Sequence, residues 1–232
     1  STASVAAAAM AADRAVTAQP RQDVPAGSPS PVFTTRPHKA LIQDRPTEDY
    51  LREIRDAGFE GIESRTVPPA EAEKIRAIAD KLGMRVHSVL RGSAAFNSPD
   101  RALAEQSYAA TEDAIRSAEA FGADAVLLVP CRIEATTPGG NGAKGGIRMP
   151  RPWEFQLDFD PRTGHLSRVV AGDNAPYAEY IRAQNHAVDT STGMVRRLIP
   201  LAEKSGVVIA LENVWNNLWV SPQYFRHFVE SF

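Results

Sequence analysis

Cysteine, net charge and long apolar runs are all scarce in this sequence, and each scarcity excludes a class of protein. The single cysteine, Cys131, cannot form a disulfide within the chain, so the fold does not depend on oxidation. Lys and Arg number 26 against 28 Asp and Glu, and the net charge of -2 provides no overall basic field for a nucleic acid. No stretch approaches the roughly 20 apolar residues that a membrane-spanning helix needs.

Common catalytic motifs are missing as well. The sequence contains no HExxH, CxxC or GxSxG motif, which argues against the usual zinc-protease, thiol-redox and serine-hydrolase sites. The glycine-rich segment 139–142 lacks the strand, the Lys-Ser/Thr pair and the helix that accompany a phosphate-binding loop. These absences favour chemistry based on carboxylates.

Residues 1–37 differ in composition from the rest of the chain, and we interpret them as an Ala/Pro-rich leader and linker. The run 3–12 is short and apolar and ends in Ala9-Met10-Ala11, which resembles the end of a secretory signal without its basic start. The alternative is a low-complexity leader without a targeting role. Export to the periplasm and a cytoplasmic location both stay open.

From residue 38 onward, an amphipathic helix, a glycine and a short apolar strand recur in this order. The glycines are Gly58, Gly83, Gly122 and Gly206, each of which suits the left-handed position just past a helix end. The predicted strands cover 39–42, 61–63, 84–87, 125–129 and 207–211. The predicted helices cover 47–57, 69–82, 99–121, 177–205 and 221–232.

This alternation predicts an α/β fold with a parallel sheet and about five βα units. Two architectures contain such units: an open doubly wound sheet and part of an eight-stranded (β/α)8 TIM barrel. The turn after the first strand, residues 43–46, has no glycine, which counts against a dinucleotide-binding open sheet.

The interval between the fourth and fifth strands is too long for one helix, and we assign residues 136–174 to an insertion. Residues 155–159 and 166–170, joined by a turn at 161–164, have the pattern of a β-hairpin. A hairpin after the fourth strand of a barrel lies at the face where active sites form. We therefore expect a lid with little apolar surface to bury, most open to proteolysis at residues 139–146.

The polar side chains at the predicted strand ends are the candidate site, because ligands bind there in parallel α/β folds. They are Gln43, Glu63, His87 with Arg91, Cys131 with Arg132, and Glu212 with Asn213, Trp215, Asn216 and Asn217. Glu212 stands out, since it directly follows five apolar residues. We expect its carboxylate to face Glu63, His87 or both.

Structural alternatives exist for each of these candidates. Glu212 could cap the next helix or pair with an arginine, and Glu63 could pair with Arg65 or Arg91. His87 could be a hydrogen-bonded histidine near a strand end. Cys131 has no Cys or His near it in sequence, so we interpret it as a small buried side chain.

Two stretches resemble the xylose isomerase-like TIM barrels, a family that includes sugar and sugar-phosphate isomerases and 3-epimerases. They are residues 57–63, at the second strand, and residues 202–213, at the fifth strand, which 214–217 extend. In that family the glutamate of the fifth strand is a ligand of one divalent metal and one of two carboxylates that move protons between sugar carbons. The resemblance implies both roles for Glu212, with Mn²⁺, Mg²⁺, Co²⁺ or Zn²⁺ as the metal.

The same resemblance implies a small sugar or sugar phosphate as substrate, with neither a nucleic acid nor a membrane as partner. Glu63, His87, Arg91, Trp215, Asn216 and Asn217 are the expected substrate-binding residues. The family's other three metal ligands come from strands six to eight, which this sequence does not contain. We therefore expect this chain to be the N-terminal part of an enzyme and to be inactive alone. Whether the protein forms a homo-oligomer is open.

Two alternatives belong to the same fold. One is a sugar-binding barrel without catalysis. The other is a metal-dependent endonuclease that acts at abasic sites and uses histidines on strands three and four. The fourth predicted strand ends in Pro130-Cys131-Arg132, without a histidine, and the isoelectric point near 6.2 gives no support to a DNA groove.

Overall fold

Parallel strands and helices alternate along the chain in a computed structural model that describes residues 37–44, 46–136 and 146–232. The strands are β1 (Ala40–Gln43), β2 (Gly61–Arg65), β3 (Arg85–Arg91), β4 (Ala125–Leu128), β5 (Ala135–Thr136), β6 (Ile147–Arg148), β7 (Phe155–Phe159), β8 (Leu166–Val170) and β9 (Val208–Leu211). The helices are α1 (Glu48–Asp56), α2 (Pro69–Lys81), α3 (Arg101–Phe121), α4 (Ala178–Ser205) and α5 (Pro222–Val229). The five predicted βα units and the hairpin after the fourth are confirmed. The interpretation of residues 1–36 as a leader lies outside the described residues.

Local signals set the ends of several helices. Thr47, Asp100 and Ser221 each accept a hydrogen bond from a backbone N–H in the first turn, at 3.3, 2.9 and 3.2 Å. Gly122 ends α3 and Gly206 ends α4, with φ of 67° and 65°. No helix in the described part of the chain is long and apolar enough to cross a membrane.

The main sheet has the order β1-β2-β3-β4-β9, and every pair of neighbours is parallel. Helices cover one face of this sheet and form the first hydrophobic core. Its fully buried members include Leu51, Ile62, Val89, Ile115, Val126 and Leu198. The opposite face corresponds to the interior of a barrel and is open among the described residues, as Ile42 and Val208 show with 56% and 62% exposure.

The third strand is longer than the sequence suggested. It continues for four residues past His87 to Arg91, and the β2–β3 register shifts between Ile62 and Glu63. Ile62 pairs with Val86 and Glu63 pairs with Ser88, so His87 is the extra residue of a β-bulge. The predicted position of His87 at a strand end was therefore wrong.

The described part of the insertion forms a second hydrophobic core beyond the ends of the main strands. The hairpin contributes Leu166 and Val169, which are buried against Tyr180 and Val188 of α4 and Phe228 of α5. The expectation that the insertion has little apolar surface to bury was wrong for this hairpin. Residues 139–145, most of the predicted cleavage segment, lie outside the described residues.

Candidate functional site

Glu212 lies at the carboxyl end of β9, one residue beyond the strand. Its N–H donates to the Leu128 carbonyl at 2.9 Å and continues the ladder with β4. Ile209 and Leu211 pack against the first core, whereas Val208 and Ala210 are exposed on the opposite face. Because side chains alternate along a strand, Glu212 lies on the interior face with Val208 and Ala210.

The Glu212 carboxylate makes no hydrogen bond or ion pair with any residue that the structure describes. The sequence also allowed Glu212 to cap the next helix or to pair with an arginine, and among the described residues it does neither. Ser221 caps α5 instead, with its Oγ 3.2 Å from the Tyr224 nitrogen. A half-buried carboxylate at a strand end, with its oxygens uncommitted, can accept a proton or bind a cation.

Glu63 lies in the middle of β2, away from Glu212. Its Oε1 accepts a hydrogen bond from Ser88 Oγ at 2.7 Å, and it has neither of the arginine partners considered from the sequence. The register connects Glu63 through Ser88 and Ala125 to Val208, three strands away. Glu212 lies four residues further along β9, about 13 Å at 3.3 Å per residue. The expected contact between the two carboxylates was wrong.

His87 lies near the amino ends of the strands, where β2 begins. Its Nε2 is buried without a hydrogen-bond partner among the described residues, and its ring lies against Gly61. Burial, and then the charge of Arg85, lower the pKa of His87 below its usual value. The expectation that Glu212 faces His87 was also wrong.

Arg91 ends β3 at the carboxyl ends of the strands, where the site was predicted, but its guanidinium binds neighbouring groups of the protein. It donates to the Ser93 carbonyl and, at 3.1 Å, to Ser107 Oγ on α3. Ser107 Oγ in turn accepts from the Ala95 nitrogen at 2.8 Å. Burial lowers the pKa of Arg91. These bonds fasten the loop between β3 and α3.

The segment directly after Glu212, residues 213–219, forms a loop that we call the site loop. Trp215 is 95% exposed at its tip, and its carbonyl accepts from Arg132. Asn216 is fully buried, and its Nδ2 donates to the Cys131 carbonyl at 3.2 Å. Asn217 Nδ2 donates to the Ile133 carbonyl at 2.8 Å. The two amides therefore join the site loop to the segment after β4, and Trp215 alone of these three points away from the protein.

Two buried residues of this region were missed in the sequence. Tyr180 and Gln184 lie one turn apart on α4, and both donate to the Asn217 carbonyl. A signal for them existed, because both lie on the helix face that carries Ala187 and Val188, where a polar group needs a partner. Cys131 is buried as predicted, with its Sγ 3.2 Å from Ser191 Oγ, and burial raises the pKa of its thiol to about 12.

A divalent metal fits Glu212 as one ligand only. Its carboxylate is the hard oxygen donor that Mg²⁺ and Mn²⁺ prefer. Within the described ranges, however, no group of three or more His, Cys, Asp or Glu side chains is placed to hold an ion. The described residues do not form a complete metal site.

Comparisons with known proteins find a family and a set of similar folds. The family model of the xylose isomerase-like TIM barrel matches residues 51–232. Similar solved structures include a D-tagatose 3-epimerase-like protein (13% identity, TM-score 0.52, 83% of this chain and 60% of that chain). An L-ribulose 3-epimerase has 17% identity and a TM-score of 0.52, with 83% and 56% covered. A D-psicose 3-epimerase with D-tagatose, from Clostridium cellulolyticum H10, has 17% identity and a TM-score of 0.51, with 83% and 59% covered.

These likenesses show the fold. No curated protein sequence matches the chain. The chain spans between 56% and 60% of the length of the three structures, and its five parallel strands correspond to part of their barrel. Members of the matched family typically bind a divalent metal. The predicted partial barrel is confirmed, and the chain belongs to the xylose isomerase-like TIM barrel family.

Proposed function

We propose that this chain is part of a sugar isomerase or ketose 3-epimerase in which Glu212 moves the proton. One observation carries the proposal. Glu212 lies at the carboxyl end of β9 in the main sheet, on the interior face, and its carboxylate has no partner among the described residues. The family supports this proposal, and so do the epimerase names of the similar structures.

The proposed chemistry is proton transfer at a carbon next to a carbonyl. Glu212 removes the proton as a general base, and the electron pair moves into the carbonyl to form an enediolate. Return of a proton to the same carbon from the other face gives an epimer. Return to the neighbouring carbon, with the hydroxyl proton moving to the former carbonyl oxygen, gives an isomer. A bound divalent cation would stabilise the negative charge on the sugar oxygens.

The other predicted site residues differ in the role that we propose for each. The exposed indole of Trp215 offers an apolar wall to the C–H face of a sugar, three residues from Glu212. Arg91, Asn216 and Asn217 shape the loops of the site by donating hydrogen bonds to backbone carbonyls. Glu63 lies on the interior face, nearer the amino ends of the strands than Glu212, and His87 lies near those amino ends.

The proposal concerns the whole protein. Because the chain spans less than two thirds of the similar structures, we propose that further barrel units supply the other metal ligands and the second carboxylate. On this proposal the 232-residue chain alone has no activity.

Replacement of Glu212 by Gln in the full-length protein tests the proposal. With Mn²⁺ and D-tagatose or L-ribulose in D₂O, we expect the wild type to exchange a sugar carbon-bound proton for deuterium, measured by NMR. Glu212→Gln should lower this rate by at least about 10²-fold, the contribution typical of a general base. Glu203→Gln, which neutralises an exposed carboxylate on α4, is the matched control and should keep the rate.

Full activity in Glu212→Gln would contradict the proposal. Sugar binding without exchange in the wild type would instead support the non-catalytic barrel.

A further inference from the structure

The site loop is closed on itself by its own side chains. Asn213 Nδ2 donates to the Trp219 carbonyl at 3.0 Å and joins the first residue of the loop to the last. Asn216 Oδ1 accepts from the Leu218 nitrogen at 3.2 Å. Glu212, whose direction is set by β9, directly precedes this closed loop and Trp215 lies at its tip, so the conformation of the loop sets where Trp215 lies relative to the Glu212 carboxylate.

Two residues of the loop have backbone conformations that side chains disfavour. Asn217 has φ of 61° and Trp219 has φ of 40°, both in the left-handed region where glycine is usual. Trp219 is buried and stacks on Phe228 with ring centroids 4.2 Å apart. Non-glycine residues persist in this region only when the surrounding contacts enforce it. The loop is therefore held by its surroundings.

Three buried hydrogen bonds link Asn217, Tyr180 and Gln184, the last two on α4, and hold the loop at Asn217. The Asn217 carbonyl accepts from Tyr180 Oη and from Gln184 Nε2, both at 2.7 Å. Gln184 Nε2 also donates to Tyr180 Oη at 2.7 Å, which orients the hydroxyl toward the carbonyl. Both side chains are fully buried, where such bonds are strong and a missing one is costly.

We propose that Tyr180 and Gln184 are positioning residues that keep the site loop in one conformation, with Glu212 and Trp215 directed at the substrate. The inference rests on the function proposed for Glu212. A loop that is already ordered saves the entropy of ordering on binding, and it keeps the proton-transferring group at a fixed distance. The two residues hold the loop rather than the substrate, so they act through it.

Tyr180→Phe and Tyr224→Phe form a matched pair that tests this inference. Both tyrosines are buried in the second core, and each hydroxyl donates to a backbone carbonyl, Asn217 for Tyr180 and Gly164, in the hairpin turn, for Tyr224. Amide hydrogen exchange on the intact protein needs neither metal nor sugar. We expect Tyr180→Phe to speed exchange at Asn216 and Leu218 about fivefold, the effect of one hydrogen bond, and Tyr224→Phe to leave it unchanged.

Gln184→Leu is a second variant in case Tyr180→Phe does not fold, and it should speed the same amides. Equal exchange in Tyr180→Phe and Tyr224→Phe would overturn the inference. With D-tagatose as the probe, Tyr180→Phe should lower kcat/KM at least about fivefold relative to Tyr224→Phe, again the effect of one hydrogen bond. A looser loop with unchanged kcat and KM would also overturn it. Full activity in Glu212→Gln would remove the proposed function, and the exchange result would still stand.

Discussion

At the scale of single residues, the absence of a side chain at Gly61 makes room for the β2–β3 bulge. A Cβ at this position would lie 2.5 Å from Cδ2 of His87 and closer still to the Arg85 carbonyl. The carbonyl belongs to the backbone of the paired strand, so it cannot move aside cheaply. The bulge that turns His87 inward therefore depends on a glycine in the neighbouring strand.

Gly61→Ala should destabilise the protein by about 1–3 kcal/mol, the cost of overpacking a close-packed site. Gly193→Ala is the control, because a Cβ there meets nothing within 4 Å and alanine favours the helix by about 1 kcal/mol. Urea unfolding of both variants measures the difference. Equal stability of Gly61→Ala and the wild type would mean that the bulge does not need the glycine.

At the scale of elements, α4 joins the two hydrophobic cores. Its first half packs on the hairpin through Tyr180 and Val188, and its second half packs on the main sheet through Leu198 and Ala202. Asn185 fastens the hairpin to this helix. Its Oδ1 accepts from the Leu166 nitrogen at 2.7 Å, and its Nδ2 donates to the Leu166 carbonyl at 3.1 Å.

Asn185→Ala should lower the free energy of unfolding by about 1–3 kcal/mol, because it leaves both backbone groups of Leu166 without their partner. Asn185→Asp keeps the acceptor but brings a carboxylate oxygen to the Leu166 carbonyl, so it should also lose stability. Chemical denaturation gives the size of the effect, and hydrogen exchange at Leu166 locates it. Unchanged stability and unchanged exchange at Leu166 in Asn185→Ala would mean that the two bonds contribute nothing to the attachment.

At the scale of the whole molecule, the main sheet of the described residues has two open edges, β1 and β9. Their interior faces are apolar, with Ile42 exposed on β1 and Val208 exposed on β9. Unpaired edges and exposed apolar residues favour pairing with another chain.

We expect the purified 232-residue chain to associate with itself, as measured by sedimentation or light scattering, since association covers both edges. Mn²⁺ should change its melting temperature little, because Glu212 is a single ligand. Ile42→Lys with Val208→Lys should reduce association by placing charge on both edge strands. A monodisperse wild-type chain with a strong metal-dependent shift in melting temperature would contradict this expectation.

Much of the fold could be predicted from short stretches of sequence. The helix caps Thr47 and Ser221 lie within three residues of the groups they bind, and the glycine at 206 directly follows its helix. The apolar run before Glu212 indicates a strand with a carboxylate at its end without any knowledge of neighbouring strands. Such signals depend only on residues that are close in the chain, so they can be identified from a single sequence.

The tertiary structure alone decided which of the candidate side chains come together. Register and the bulge separate Glu63 and His87 from Glu212, and both depend on how different strands pair. The bond from Asn217 to the Ile133 carbonyl spans 84 residues, and the contact with Gln184 spans 33. Hydrophobic periodicity and composition do not indicate such distant partners, because the chain brings them together only when it folds.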